Sequence, residues 1–133
     1  MRTQALGVVF VACIASAIGA GESAATGGLQ YELERGQQLC MKLSEEVANK
    51  RVRESSPSQS YLHAQQALNN FASRLNSAGE TAQALMPATK SEDRGVRNAA
   101  FRALLQLGSQ LRGLRERTER EVNAYLHPAA ANP

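Results

Sequence analysis

Eight residues between Tyr61 and Leu85 constrain this chain more than any other feature. Tyr61, Ala64, Leu68, Phe71, Leu75, Ala78, Ala82 and Leu85 recur at alternating spacings of three and four, and all eight are apolar. That rhythm traces one stripe of an α-helix; in a β-strand, side chains change face at every residue and the same positions would scatter. A stripe this long has to be buried, and a single helix cannot bury it alone. Ser56, followed by Pro57 at a first helical position and by Gln59 three residues after the serine, predicts a capped start. Pro87, which has no amide hydrogen to donate, predicts the end after Met86. The expected helix covers residues 57–86.

The same period flanks it on both sides. Leu29, Leu33, Gly36, Cys40, Leu43 and Val47 follow one another at fours and threes, with Leu39 widening the stripe, and predict a helix over 29–54. Its last turns put Lys50 and Arg51 where the helix dipole is negative, which accounts for this basic pair without a processing site. Thr89, with Glu92 three positions on, reads as a second capping box opening a helix over 90–126. There Val96, Ala100, Leu104, Leu107, Leu111, Leu114, Val122 and Tyr125 share a face that Phe101 and Leu105 broaden. Arg112 with Glu116, Glu116 with Arg120, Arg115 with Glu119 and Arg117 with Glu121 are spaced for intrahelical pairs of about 0.2–0.5 kcal/mol each. Val, Ile and Thr are sparse and no apolar–polar alternation persists, so the fold class is all-α.

Short connections between long amphipathic helices make neighbours antiparallel, so the expected architecture is an up-down-up three-helix bundle of long amphipathic helices. At ~1.5 Å per residue the third predicted helix outreaches the others by about two turns, leaving apolar surface for another molecule to cover. Phe101, Leu105, Leu107, Leu111 and Leu114, with Arg112 and Arg115, are therefore the candidate partner-binding residues.

Ahead of the bundle, Arg2, the apolar run from Ala5 to Ile18 and the small residues Gly19 to Gly21 have the layout of a secretory signal peptide. Residues 1–20 are expected to be removed, placing the protein outside the cytoplasm, in the periplasm of a bacterium or secreted. Lipid attachment at Cys13, after Ala12, is the alternative fate of this leader. Residues 21–28 read as a flexible lead-in and 127–133 as a disordered tail. Loss of Arg2 takes the 15 basic and 12 acidic residues to 14 and 12, a net of +2, too mild and too interspersed for nucleic acid. With Cys13 gone, Cys40 is left without an intrachain partner, so it is either a small apolar member of its stripe or half of an intermolecular disulfide.

Chemistry is thinly represented. His63 falls on the side of its helix away from Tyr61 and Leu68, and His127 lies beyond the last helix, so neither is paired with a nucleophile. Glu45-Glu46 and Glu92-Asp93 are neighbours on helices, where adjacent side chains diverge by about 100°. No Cys-x-x-Cys, His-x-x-x-His or glycine-rich phosphate loop occurs, so no catalytic, metal or cofactor residues are assigned and no small-molecule substrate is inferred. Arg112-Gly113-Leu114-Arg115 resembles the Arg-x-Leu-Arg motif of secreted oomycete effectors, but there the motif lies in a mobile segment soon after the signal peptide. Here Leu114 belongs to an apolar helix face. Met41 with His127 resembles the iron-ligand layout of the exported four-helix haem cytochromes, yet Met41 stands off its stripe, His127 follows its helix, and a helix is missing. Neither resemblance transfers a function.

Two expectations remain. One is a non-catalytic protein-interaction module, an adaptor, subunit, effector or holdase-like bundle, that docks on a protein partner or on itself through the third helix. The alternative is a lipid-surface protein that resembles the exchangeable apolipoproteins in style, with Leu and Phe opposed by Arg94, Arg97, Arg102, Arg112 and Arg115. The absence of Trp, the presence of only two Phe after the leader (Phe71 and Phe101) and a Glu-Arg lattice better matched to water than to a headgroup layer favour the first.

Overall fold

A computed structural model describes residues 24–128, in which three helices pack against one another: α1 (Ala24–Val52), α2 (Gln59–Thr89) and α3 (Arg94–Leu126). No strand occurs among the described residues. The expected signal peptide over 1–20 lies outside them, as do residues 129–133 of the expected tail.

The stripes meet at the centre. All six stripe positions of α1 are buried, as are six of the eight on α2, with Tyr61 and Leu85 half-buried. Leu29, Leu33 and Val47 of α1, Leu68, Phe71 and Leu75 of α2, and Leu104 and Val122 of α3 are the largest fully enclosed side chains. Each contributes roughly 1.5–3 kcal/mol of transfer free energy, which is where the cohesion of the described helical domain comes from. Two glycines set how closely the helices approach. A Cβ on Gly36 would stand 2.7 Å from Leu75 Cδ2, and one on Gly108 would stand 3.4 Å from Leu29 Cα. Gly36 thus admits α2 side chains to the surface of α1, and Gly108 admits the α1 backbone to α3.

The helix ends differ from the sequence-based expectation, each for a local reason. Residues Ala24 to Gly28, expected as lead-in, already belong to α1. Ser58 caps α2 instead of Ser56, its hydroxyl accepting from the Tyr61 amide at 3.0 Å, so Pro57 lies ahead of the helix. Pro87 does not stop α2: its fixed φ suits a helix, only one amide bond is lost, and its carbonyl accepts from Lys90 N at 3.1 Å. Thr89 is the last residue of α2 rather than the cap of α3. It is buried, and its hydroxyl donates to the Met86 carbonyl at 2.6 Å. Asp93 caps α3, its carboxylate accepting from Gly95 N (2.8 Å) and Val96 N (3.2 Å) while opposing the positive helix start. Val96 follows in that first turn and is exposed.

These shifts leave helices of 29, 31 and 33 residues. The two-turn overhang expected of the third helix is therefore absent.

At one end of the molecule a polar clasp joins all three elements. Lys50 Nζ donates to the Tyr125 carbonyl and lies 4.4 Å from the centroid of the Tyr125 ring, while Arg51 sits 5.4 Å from that of Tyr61. The two tyrosines meet edge to face at 5.8 Å. Tyr125 Oη donates to Glu54 Oε1 at 3.0 Å; burial first, then this bond to a carboxylate, pushes its pKa up to about 12. The Lys50-Arg51 pair is thereby occupied in packing.

Candidate interaction surface

The seven residues expected to form one docking patch divide between two sides of α3. Leu111 is 4% exposed and belongs to the core. Phe101, Leu107 and Leu114 are half-buried against it. Leu105, at 56% exposure, stands with Arg112 on the α1 side, beside a shallow hollow of about 230 Å³ that Gly28, Leu29 and Glu32 also line. Leu107 and Leu114 face the α2 side. The apolar arc of α3 is wide because this helix packs on two neighbours, and what reaches the surface is its two margins.

Arg115 belongs to neither margin as a free cation. Its Nη1 donates to Glu32 Oε1 at 2.6 Å across to α1, with both side chains largely covered at 14% and 11% exposure. This is the one ion pair within 4.0 Å among the described residues, so the intrahelical lattice expected along the second half of α3 does not form. An exposed pair costs side-chain entropy for a small Coulomb gain, whereas Arg115 and Glu32 are held by the helix contact itself.

Release of those pairs has a consequence on the α2 side. A groove of about 570 Å³ runs between α2 and α3; Ala78, Leu107 and Leu114 supply its apolar lining, Ser77, Thr81, Ser109 and Gln110 a polar share of similar extent, and Arg74, Arg117 and Arg120 its basic rim. All three arginines are exposed, and none makes a hydrogen bond or ion pair among the described residues. No carboxylate lines this groove; Glu121 lines the neighbouring hollow of about 310 Å³, which Arg117 shares with His63, Gln66, Asn70 and Thr118. A partly apolar lining under unneutralised guanidinium groups suits an amphipathic ligand with negative charge at its edge. Arg74, Arg117 and Arg120 were not singled out by the sequence as a group. The acids four residues from Arg117 and Arg120 suggest neutralisation, and Arg74 comes from a different helix.

Other candidates are placed without chemistry. Cys40 is 3% exposed within the core, and burial pushes its thiol pKa up. A thiol so enclosed reaches a second chain only if the seam opens, so the intermolecular disulfide is not accommodated by this packing. His63, His127 and Met41 are all exposed, Met41 at 61%, on surface positions rather than around a cavity for haem. Among the described residues no group of three or more His, Cys, Asp or Glu side chains gathers to hold a metal ion, and no helix is long and apolar enough to cross a membrane. The chain matches no protein-family model, no curated protein and no solved structure at a significant level.

Proposed function

We propose that this chain is an exported, non-catalytic protein-interaction module, released from residues 1–20, whose α2–α3 groove receives a protein partner. The observation that carries this reading is the groove itself: partly apolar lining, basic rim, and three arginines without an acid of their own. The architecture we infer beneath it is the up-down-up bundle. Along α1, Leu29 lies by Gly108 and Lys50 by Tyr125, while Gly36 meets Leu75 and Arg51 meets Tyr61, which supports α1 and α3 running alike with α2 reversed. Leu107 and Leu114 then supply apolar contact, and Arg74 and Arg117 supply charge selection from opposite walls.

A photoreactive side chain incorporated at Gln110, an exposed residue lining the groove, tests the reading in the producing cell. A discrete protein adduct from Gln110, with none from exposed Asn69 outside the groove, is the expected result. Adducts to lipid would transfer the function to the apolipoprotein-style alternative. Absence of any adduct at Gln110 would remove the interaction reading.

A further inference from the structure

A second feature lies on the far side of α1. Tyr31, Glu34, Gln38, Met41, Glu45, Ala48 and Val52 recur at threes and fours, the same helical period as the core stripe but on the opposite face, and every one is exposed. Tyr31, Met41 and Val52, at 54%, 61% and 81% exposure, are half of the large apolar side chains that the described residues leave in the open. The stripe itself carries two carboxylates, and the exposed cations Arg35 and Lys42 lie along one flank of it. Among the described residues no hydrogen bond, ion pair or ring contact engages it except a hydrogen bond from Gln30 to Glu34. A stripe with heptad spacing is the form in which one helix presents itself to the groove between two others.

The geometry points to a second copy of this chain as the occupant of the groove: the Tyr31–Val52 stripe of α1 seats between α2 and α3 of its neighbour. This deepens the interaction reading above and rests on it. The charges are complementary, acids on the stripe and unpaired arginines on the rim. The lengths agree too, since at ~1.5 Å per residue Glu34 to Glu45 spans about 16 Å and the α3 wall from Leu107 to Arg117 about 15 Å. Met41 lies between the two glutamates, about 10 Å from Glu34 and about 6 Å from Glu45 at ~1.5 Å per residue, so its thioether meets the groove lining with an acid on either side along the helix. One contact thereby answers two features that the single chain leaves without a partner.

Stripe and groove are different surfaces, so the contact is heterologous and does not close on two copies by itself. Each chain offers one of each, and the mass is expected to grow with concentration rather than stop at a dimer.

Sedimentation of the chain as its producing cell processes it tests this. The wild type is compared with Arg74→Glu/Arg117→Glu, with Glu34→Arg/Glu45→Arg, and with their equimolar mixture; all four positions are exposed, and circular dichroism checks that helicity is kept. The wild type should associate at high concentration, less so in high salt. Each variant alone should be monomeric, and the mixture should associate again, because an intact stripe on one variant meets an intact groove on the other. Met41→Gln, which alters no charge, should weaken the wild-type association on its own. Variants that associate as well as the wild type, or a mixture that remains monomeric, overturn the proposal. A wild type monomeric throughout also overturns it; a Gln110 adduct to a different protein would then leave the groove as a docking site, whereas no Gln110 adduct would remove both readings.

Discussion

Gly36→Ala and Gly113→Ala are the same chemical change in two helices, and the packing separates them. In an otherwise unconstrained helix either substitution stabilises by about 1 kcal/mol, because glycine loses more backbone freedom on folding. At Gly113 the new methyl group meets nothing within 4 Å, so that gain should be realised in full. At Gly36 the methyl group would stand 2.7 Å and 3.3 Å from the two Leu75 methyls and 3.1 Å from Phe71 Cζ. Both neighbours have 0% exposure, so neither can swing into solvent. Pushing them within a close-packed core costs roughly 1–3 kcal/mol, which reverses the sign and leaves Gly36→Ala about 1 kcal/mol destabilising. The two variants should therefore differ by about 2 kcal/mol in urea unfolding followed by circular dichroism. Leu75→Ala would itself cost about 2–5 kcal/mol. In that background Gly36→Ala should become stabilising by about 1 kcal/mol, since the methyl group then enters vacated space. If Gly36→Ala matches Gly113→Ala, or has one effect in both backgrounds, the contact of α1 with Leu75 is not as described.

Three further outcomes follow from named contacts. Tyr125 has a pKa raised to about 12 from an ordinary 10, so its contribution to stability should be whole below pH 10 and fall away as pH rises from 10 through 12; Tyr125→Phe should flatten that alkaline loss in unfolding curves and remove the late tyrosinate absorbance, and an unchanged curve would contradict the enclosure of Tyr125 together with its bond to Glu54. Arg115→Ala should destabilise by roughly 1–3 kcal/mol because it strands the largely covered Glu32 carboxylate, whereas Arg112→Ala, exposed and unpaired, should stay within about 0.5 kcal/mol; equal effects would mean the interhelical pair is not formed. Cys40 should react with a thiol reagent only in step with global unfolding, and native protein should give no disulfide-linked dimer on a gel without reductant; rapid labelling of the folded chain would show that the seam opens.

Much of the bundle is legible in the residues because helical burial is periodic and local. Every stripe position assigned on α1 is enclosed, and so is each α2 position from Ala64 to Ala82. A repeat of three and four needs no knowledge of the neighbour to declare which side of a helix turns inward. Caps were less legible, since Ser56, Ser58, Thr89 and Asp93 are all competent acceptors within a few residues of a helix start. Which one serves depends on where the loop leads the chain. Thr89 was drawn instead into the end of α2, where its buried hydroxyl found the Met86 carbonyl.

The candidate surface shows the division most sharply. From the residues alone came the all-helical class, the three seams and the presence of arginines along α3, because those depend on intrinsic preference and on spacing within one element. Tertiary structure alone decided that the helices are nearly equal in length, that Arg115 reaches Glu32 rather than Glu119, and that Arg74 joins Arg117 and Arg120 around one groove. A charge finds its partner in three dimensions: residues remote in the chain compete with those one turn away, and the helix contact favours the partner whose geometry it has already ordered.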